Sequence, residues 1–217
     1  MTRYVVLLSV LLAVAALPVS GQTEGQALVE AVTKGDLAQL DMLLGLGTDI
    51  DSTNKDGHTA LMAAVSTGRY DVAAMLLDRG ADPHRTSKTG NDALRYAALF
   101  GCLDCVPLLG RRGVDPNGQD MDGWSALSYA ASKGHPDMVR ALLAIGADPN
   151  VQNVDGDTPL HLAIAQRYSH LVPLFLDGGM DIRIKNKQGR DVYEYARIRQ
   201  AVEIMAMIEG AGGGPER

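Results

Sequence analysis

The sequence predicts an all-α solenoid of about five stacked repeats plus a C-terminal capping half-repeat, and two observations predict it. Six residue columns recur with a common period of 33 residues, and each period holds two short helical patterns separated by a turn. A unit of this length cannot bury its apolar face alone, so the stacking of neighbouring units must supply the core. The hydrophobic content of 46% agrees with an ordinary folded domain.

Each column has a physical role in the repeat. Glycines mark sharp turns before the first helix, between the two helices and after the second helix, where positive φ angles are favoured. Alanine in the first helix allows neighbouring units to approach closely, and aspartate occupies turn and cap positions. The members of the six columns are Gly57, Gly90, Gly123, Gly156 and Gly189; Gly35, Gly68, Gly101 and Gly134; Gly47, Gly80, Gly113, Gly146 and Gly179; Ala31, Ala64, Ala97, Ala130, Ala163 and Ala196; Leu28, Leu61, Leu94, Leu127 and Leu160; and Asp49, Asp82, Asp115, Asp148 and Asp181.

The fifth unit carries the most specific motif, the letters DGDTPLHLA, with Thr-Pro-Leu-His at 158–161. This stretch resembles the signature of the ankyrin repeat, and the GADP segments at 80–83 and 146–149 are similar to the start of that family's finger. The resemblance extends over nearly all of residues 24–209 and implies short β-hairpin fingers between the helix pairs. It also implies that His161 has a structural role, tying adjacent repeats together by hydrogen bonds.

The two ends of the chain differ from the repeats. Arg3 is followed by an apolar run of 13 residues at 5–17 and then by small residues, which is typical of a secretory signal peptide at 1–21. The run is shorter than the about 20 residues that a membrane-spanning helix needs, so we expect membrane association only if the signal is not cleaved. We assign residues 22–209 to the repeat domain, expect a disordered Gly-rich tail at 210–217, and predict an exported protein, periplasmic or secreted.

Charge and motifs favour a binding protein over an enzyme. The net charge is −6, so the chain lacks the basic surface that nucleic acid requires. No His-Glu-x-x-His pair, phosphate-binding glycine loop or nucleophile elbow occurs. We therefore expect no catalytic site, metal, cofactor or small-molecule substrate, and a monomer whose partner is another protein.

Cys102 and Cys105 are the only cysteines and form a Cys-x-x-Cys pair. In a helical repeat the pattern favours one core residue and one turn residue, either reduced or joined as a local disulfide. Export permits oxidation, but so short a loop gains little chain entropy from a bridge. Redox chemistry or binding of a metal by two ligands remains the alternative interpretation.

Ankyrin arrays bind proteins along a concave surface made by the fingers and the first helices. The resemblance therefore implies that the contact positions are the finger residues beside the turn glycine and two residues late in each first helix. The candidate contact residues are Trp124, Phe100, Leu99, Met121, His58, Asn91, Lys88, Lys133, Asp157 and Val154.

The sole tryptophan and one of only two phenylalanines fall on these positions. Contiguous exposed apolar groups mark interfaces, and tryptophan is enriched among residues that dominate binding energy. We therefore predict a central apolar anchor of Trp124, Phe100, Leu99 and Met121 with a polar rim from repeats two and five. The alternative is that Trp124 merely folds over a neighbouring finger.

These observations favour a non-enzymatic protein-binding scaffold outside the cytoplasm. A narrower version is an inhibitor or immunity protein for an exported enzyme or toxin. A function of another class is a redox or stress-protection accessory that uses Cys102 and Cys105.

Overall fold

The structure is a computed structural model that describes residues 23–214. This part of the chain forms six successive helix pairs, each joined by a short turn, with one 3-10 turn at Ser169–Leu171. The helices are α1 (Glu24–Lys34), α2 (Leu37–Gly45), α3 (Ala60–Ser66), α4 (Tyr70–Asp78), α5 (Ala93–Phe100), α6 (Cys105–Arg111), α7 (Ala126–Lys133), α8 (Pro136–Ala144), α9 (Pro159–Ala165), α10 (Val172–Asp177), α11 (Val192–Ile198) and α12 (Val202–Gly210). The predicted all-α solenoid is confirmed.

The core runs along the whole stack of helix pairs. The leucine column from Leu28 to Leu160 is at most 2% exposed, and the alanine column from Ala31 to Ala196 is 0% exposed throughout. The first helices of successive pairs pack directly on one another, as α3 does on α5 and α5 on α7. A methyl side chain is small enough to let these helices approach closely, which confirms the role assigned to alanine.

Five fingers connect the helix pairs: finger 1 (54–58), finger 2 (87–91), finger 3 (120–124), finger 4 (153–157) and finger 5 (186–190). In each finger the backbone N–H of the first residue donates to the carbonyl oxygen of the fifth, at distances between 2.9 and 3.1 Å. The described residues contain no β-strand. The fingers are therefore hydrogen-bonded turns rather than β-hairpins, because five residues leave no room for a ladder within one finger.

The turns between paired helices require a left-handed backbone conformation. Glycine supplies it in the first four units, with Gly68, for example, at φ 68°. Arg167 (φ 62°) and Gln200 (φ 54°) take this place in the last two units. An L-residue with a side chain is destabilised in this conformation, so these two turns carry backbone strain.

Both ends of the array are capped. Within the described residues the first unit starts at α1, and the Thr23 side chain caps this helix by accepting the backbone N–H of Gln26. The last unit is larger than the predicted half-repeat, since it contains both α11 and α12. Gly210 ends α12, and the backbone N–H of Gly213 donates to the carbonyl of Ile208 at 2.9 Å, so the part of the predicted tail within the described residues folds back on the last helix.

The signal peptide predicted at 1–21 lies outside the described residues. Among residues 23–214, no helix has both the length and the apolar character needed to cross a membrane.

Candidate partner-binding surface

The finger tips form a continuous row because backbone hydrogen bonds join each finger to the next. Lys88 N donates to Asp56 O at 3.0 Å, and the equivalent bond from Val154 N to Asp122 O is also 3.0 Å. Residues that are 33 positions apart in sequence thereby become neighbours. The tip row consists of Lys55, Lys88, Met121, Val154 and Lys187. Its centre is apolar and exposed, at 75% for Met121 and 48% for Val154.

Side-chain oxygens hold the turn in four of the fingers. The first residue of fingers 1, 3, 4 and 5 accepts hydrogen bonds from the backbone N–H groups two and four residues later. Asp120 does so in finger 3, with Oδ1 at 3.0 Å from Asp122 N and 2.8 Å from Trp124 N. In the other three fingers the residue is Asn54, Asn153 or Asn186. The fingers are therefore preformed by local bonding.

Glycine is required at the turn of finger 3 for two reasons. Gly123 has a φ of 75°, and a Cβ placed on it would lie 2.8 Å from the backbone nitrogen of Val154. Any side chain here would separate finger 3 from finger 4.

We define the finger surface as the five fingers and the adjoining faces of the first helices. A column of three tyrosines supports this surface. Tyr96, Tyr129 and Tyr195 share the 33-residue register. Each ring contacts an aromatic residue, namely His58 at 5.2 Å, Trp124 at 5.1 Å and His161 at 5.3 Å between centroids. The sequence interpretation missed this column, although its spacing is the same signal that revealed the other six.

Phe100 belongs to an aromatic group on the second and third units. Its ring stacks on Tyr96 with centroids 6.0 Å apart and remains 57% exposed. The Tyr96 hydroxyl lies 2.8 Å from Nε2 of His58. Leu99, the neighbour of Phe100, is half-buried. The exposed ring of Phe100, which is held in place by its stacking on Tyr96, is therefore available to a partner.

Trp124 belongs to a second aromatic group. It is half-buried and tilted by 47° against Tyr129 of its own unit. The Tyr129 hydroxyl donates to Oδ2 of Asp120 at 2.6 Å. Burial, and after it this bond, raises the pKa of Tyr129 to about 12. The phenol therefore stays neutral and keeps its ring in place at ordinary pH.

A hollow of about 350 Å³ opens beside Trp124, between fingers 3 and 4. It is lined by Asp122, Trp124, Tyr129, Val154 and Asp155. Both aspartates are exposed.

The four residues of the predicted anchor come from two successive parts of the array. Leu99 and Phe100 lie at the end of α5, whereas Met121 and Trp124 lie in finger 3. Among the described residues no direct ring contact joins Phe100 to Trp124. Lys88 and Lys133 are exposed at the rim. Asp157 accepts a hydrogen bond from Asn186 Nδ2 at 2.7 Å.

Asn91 lies beneath the surface on which it was expected. It is 7% exposed, and its Nδ2 donates to Thr89 Oγ1 at 3.1 Å. Its position beside the turn glycine suggested exposure, but the side chain packs inward.

His161 has the structural role that the family resemblance implied. Its Nδ1 accepts the backbone N–H of Thr158 at 3.2 Å, and its Nε2 donates to the carbonyl of Arg190 in the next unit at 3.2 Å. The residue is fully buried. Its pKa is lowered, chiefly by burial.

Cys102 and Cys105 are joined by a disulfide, with Cα atoms 5.3 Å apart. Cys105 is 0% exposed in the core at the start of α6, and Cys102 is 6% exposed in the turn before it. The expected division into one core residue and one turn residue is observed. Among the described residues no group of three or more His, Cys, Asp or Glu side chains is placed to hold a metal ion.

A second exposed apolar row lies at the opposite end of the first helices from the fingers. We call it the turn row, and its members lie at or just before the starts of the second helices of their units: Leu37, Tyr70, Leu103 and Val202, which are 44%, 40%, 40% and 74% exposed. These residues also keep the 33-residue register, so the period could have revealed them. The turn row provides a comparison surface for experiments on the fingers.

Known ankyrin repeats match this chain in sequence and in structure. The family model described as Ankyrin repeats (3 copies) matches residues 28–120 and 112–186. The crystal structure of an ankyrin repeat domain from Acinetobacter baumannii AYE is 30% identical with a TM-score of 0.78, and the match covers 86% of this chain and 98% of that one. No curated protein matches this chain in sequence.

Proposed function

Because this chain belongs to the ankyrin-repeat family, we propose that it is a non-enzymatic scaffold that binds another protein along its finger surface. The observation that carries the proposal is the exposure of large apolar side chains there, at 75% for Met121, 57% for Phe100 and 48% for Val154. Exposed apolar groups next to one another indicate an interface, since leaving them in water is unfavourable.

The bonding of the fingers supports this proposal. Each finger is held by its own turn bonds and by a backbone bond to its neighbour, such as Met121 N to Thr89 O at 3.2 Å. A surface fixed before binding loses little conformational entropy when a partner docks. The geometry therefore favours recognition by a rigid surface.

Partner affinity of matched alanine variants tests the proposal. The partner is first captured on the immobilised chain and identified by mass spectrometry, and its affinity is then measured by calorimetry. Trp124→Ala and Phe100→Ala are each expected to weaken binding by roughly 30-fold, as truncation of a dominant interface residue does. Tyr70→Ala, on the turn row, is the matched control and should leave affinity unchanged. Loss of binding in the control alone would place the interface on the turn row and contradict the proposal.

The second part of the proposal is export to the periplasm or outside the cell. Its support is the sequence pattern at 1–21, a basic start followed by an apolar run and small residues. N-terminal sequencing of the mature protein is expected to begin at Gln22. An intact N-terminus found in a membrane fraction would instead mean an anchored protein.

An inhibitor or immunity protein is the narrower version of this function. It predicts that the captured partner is an exported enzyme or toxin whose activity falls on addition of the chain. If the captured partner keeps its activity when the chain is added, the inhibitor function is excluded and the scaffold function stands.

A redox accessory function has less support. Redox exchange requires attack on an accessible sulfur, whereas Cys102 is 6% exposed and Cys105 is 0% exposed. Thiol titration of the native chain with and without a dithiol reductant tests it. Rapid release of two thiols under native conditions would favour the redox function, and release only after unfolding would exclude it.

A further inference from the structure

We propose that the hollow between fingers 3 and 4 binds an arginine side chain of the partner protein. This inference rests on the proposed function and adds the chemistry that the partner must present.

The hollow has an aromatic lining. Trp124 and Tyr129 line one side of the hollow with ring centroids 5.1 Å apart. A cation over the face of an aromatic ring is attracted by the ring's quadrupole, and tryptophan gives the strongest such contact. Trp124 is half-buried, so part of its surface remains open to a ligand.

The charged residues that line the hollow are both acidic. Asp122 and Asp155 line the hollow from fingers 3 and 4, and both are exposed. No basic side chain is among the residues that line it. A positive group placed between these carboxylates and the rings would be attracted by both. An apolar occupant would instead cover two carboxylates and remove them from water without compensation.

The chain makes a related contact between an arginine and a tyrosine in its last unit. Tyr195 occupies the same column as Tyr129, and the Arg199 guanidinium carbon lies 5.1 Å from its ring centroid. Arg199 Nη2 also donates to the Tyr195 hydroxyl at 3.0 Å. The last unit thus shows a guanidinium held on a tyrosine of this column, whereas in the fourth unit the corresponding position is Lys133 and no such contact is found among the described residues.

Arginine fits this hollow better than lysine does. A planar guanidinium stacks on an aromatic ring and presents several N–H donors to carboxylates at once, whereas an ammonium is a strongly hydrated point charge. Val154 adds an apolar wall that suits the methylene stem of an arginine side chain. The expected partner segment therefore places a single arginine between fingers 3 and 4, next to apolar residues that contact Met121.

The sole tryptophan makes the test direct, because Trp124 lines the hollow and is the only indole that can report fluorescence. The intact purified chain is titrated with N-acetyl-arginine amide and, separately, with N-acetyl-citrulline amide, which has nearly the same shape and no charge. We expect a saturable fluorescence change with the arginine probe and at least tenfold weaker binding of the citrulline probe. Equal binding of the two probes, or no saturable change with arginine up to its solubility limit, would overturn the inference.

Matched variants assign the response to the hollow. Asp122→Asn combined with Asp155→Asn keeps the backbone carbonyls that bond neighbouring fingers and removes both charges, so arginine binding should weaken at least tenfold. As the matched control, Asp71→Asn combined with Asp104→Asn removes the same charge from exposed positions outside the finger surface and should leave binding unchanged. Retained arginine binding in the double variant would contradict the inference.

The outcome is separable from that of the proposed function. If Trp124→Ala weakens the partner but the arginine probe does not bind, the finger surface remains the interface and the arginine inference fails. If the probe binds while Trp124→Ala and Phe100→Ala leave partner affinity unchanged, the proposed interface fails.

Discussion

Tyr129 donates its phenolic hydrogen to Oδ2 of Asp120 at 2.6 Å, and this bond joins the first helix of the fourth unit to finger 3. Oδ1 of the same carboxylate holds the turn of the finger through two backbone N–H groups. In fingers 1, 4 and 5 the corresponding residue is asparagine, which has only one acceptor oxygen. Asp120 therefore performs two tasks and positions both Trp124 and Tyr129 beside the hollow.

Asp120→Asn tests this double role. The amide oxygen keeps the turn, but the charge-assisted bond to Tyr129 is lost, so we expect the pKa of Tyr129 to fall from about 12 and the protein to lose about 1.5–3 kcal/mol of stability. Alkaline spectrophotometric titration measures the pKa, with Tyr129→Phe to identify the signal. An unchanged pKa would show that burial alone sets it.

The same tyrosine predicts a loss of stability at high pH. Its pKa is raised, mainly by burial, so the folded state keeps the proton after the unfolded state has released it. The stabilisation is complete below the ordinary tyrosine pKa of about 10 and is lost as the pH rises from about 10 to 12. Urea unfolding of the native chain and of Tyr129→Phe should therefore differ in slope with pH over this interval. If the unfolding free energies of the two proteins changed with pH in parallel, Tyr129 would not be the source of the dependence.

Gly123→Ala and Gly189→Ala separate backbone strain from finger contact. Gly123 and Gly189 have φ angles of 75° and 73°, but only a Cβ on Gly123 meets a neighbouring finger. Gly189→Ala should cost about 1–2 kcal/mol from the left-handed conformation alone. Gly123→Ala should cost this and a further ~1 kcal/mol for the bond between fingers 3 and 4. Urea unfolding measures both, and equal losses would mean that the finger contact adds nothing.

His161 predicts a loss of stability in acid. Burial lowers its pKa, and Nδ1 already accepts the Thr158 N–H, so protonation would break a native bond. Above the ordinary histidine pKa of about 6.5 both states are neutral, and as the pH falls below it the unfolded state alone takes up the proton. Stability should therefore fall on acidification, and His161→Gln should reduce that dependence while costing stability at neutral pH. Chemical unfolding at pH about 7.5 and about 5.5 measures the difference, and an identical pH dependence in the variant would exclude His161 as its source.

Gln200→Gly is expected to stabilise the protein. Gln200 has a φ of 54° and an exposed side chain, so glycine should relieve about 1 kcal/mol of backbone strain. Arg167→Gly at φ 62° is the comparison, and its gain should be smaller because Arg167 Nη2 donates to Arg199 O at 2.8 Å. Thermal unfolding measures both gains, and the melting temperature should rise more for Gln200→Gly than for Arg167→Gly. A lower melting temperature for Gln200→Gly would show that this turn is not strained.

The 33-residue period by itself determined the repeat architecture, the burial of the leucine and alanine columns, and the turns that require glycine. It did so because a stacked repeat places equivalent residues in equivalent surroundings, so that a column in the sequence becomes a row in space. The candidate surface followed from the family resemblance in the same way, and Met121, Phe100 and Val154 are exposed as expected.

Only the tertiary structure decided which side chains meet. It placed Asn91 beneath the surface, and it brought Asp122 and Asp155 of neighbouring fingers together around one hollow. These relationships depend on where each side chain packs against residues of other units. The period fixes the position of a backbone segment in the stack, whereas the direction of a side chain is settled by packing and hydrogen bonds that the spacing of residues does not contain.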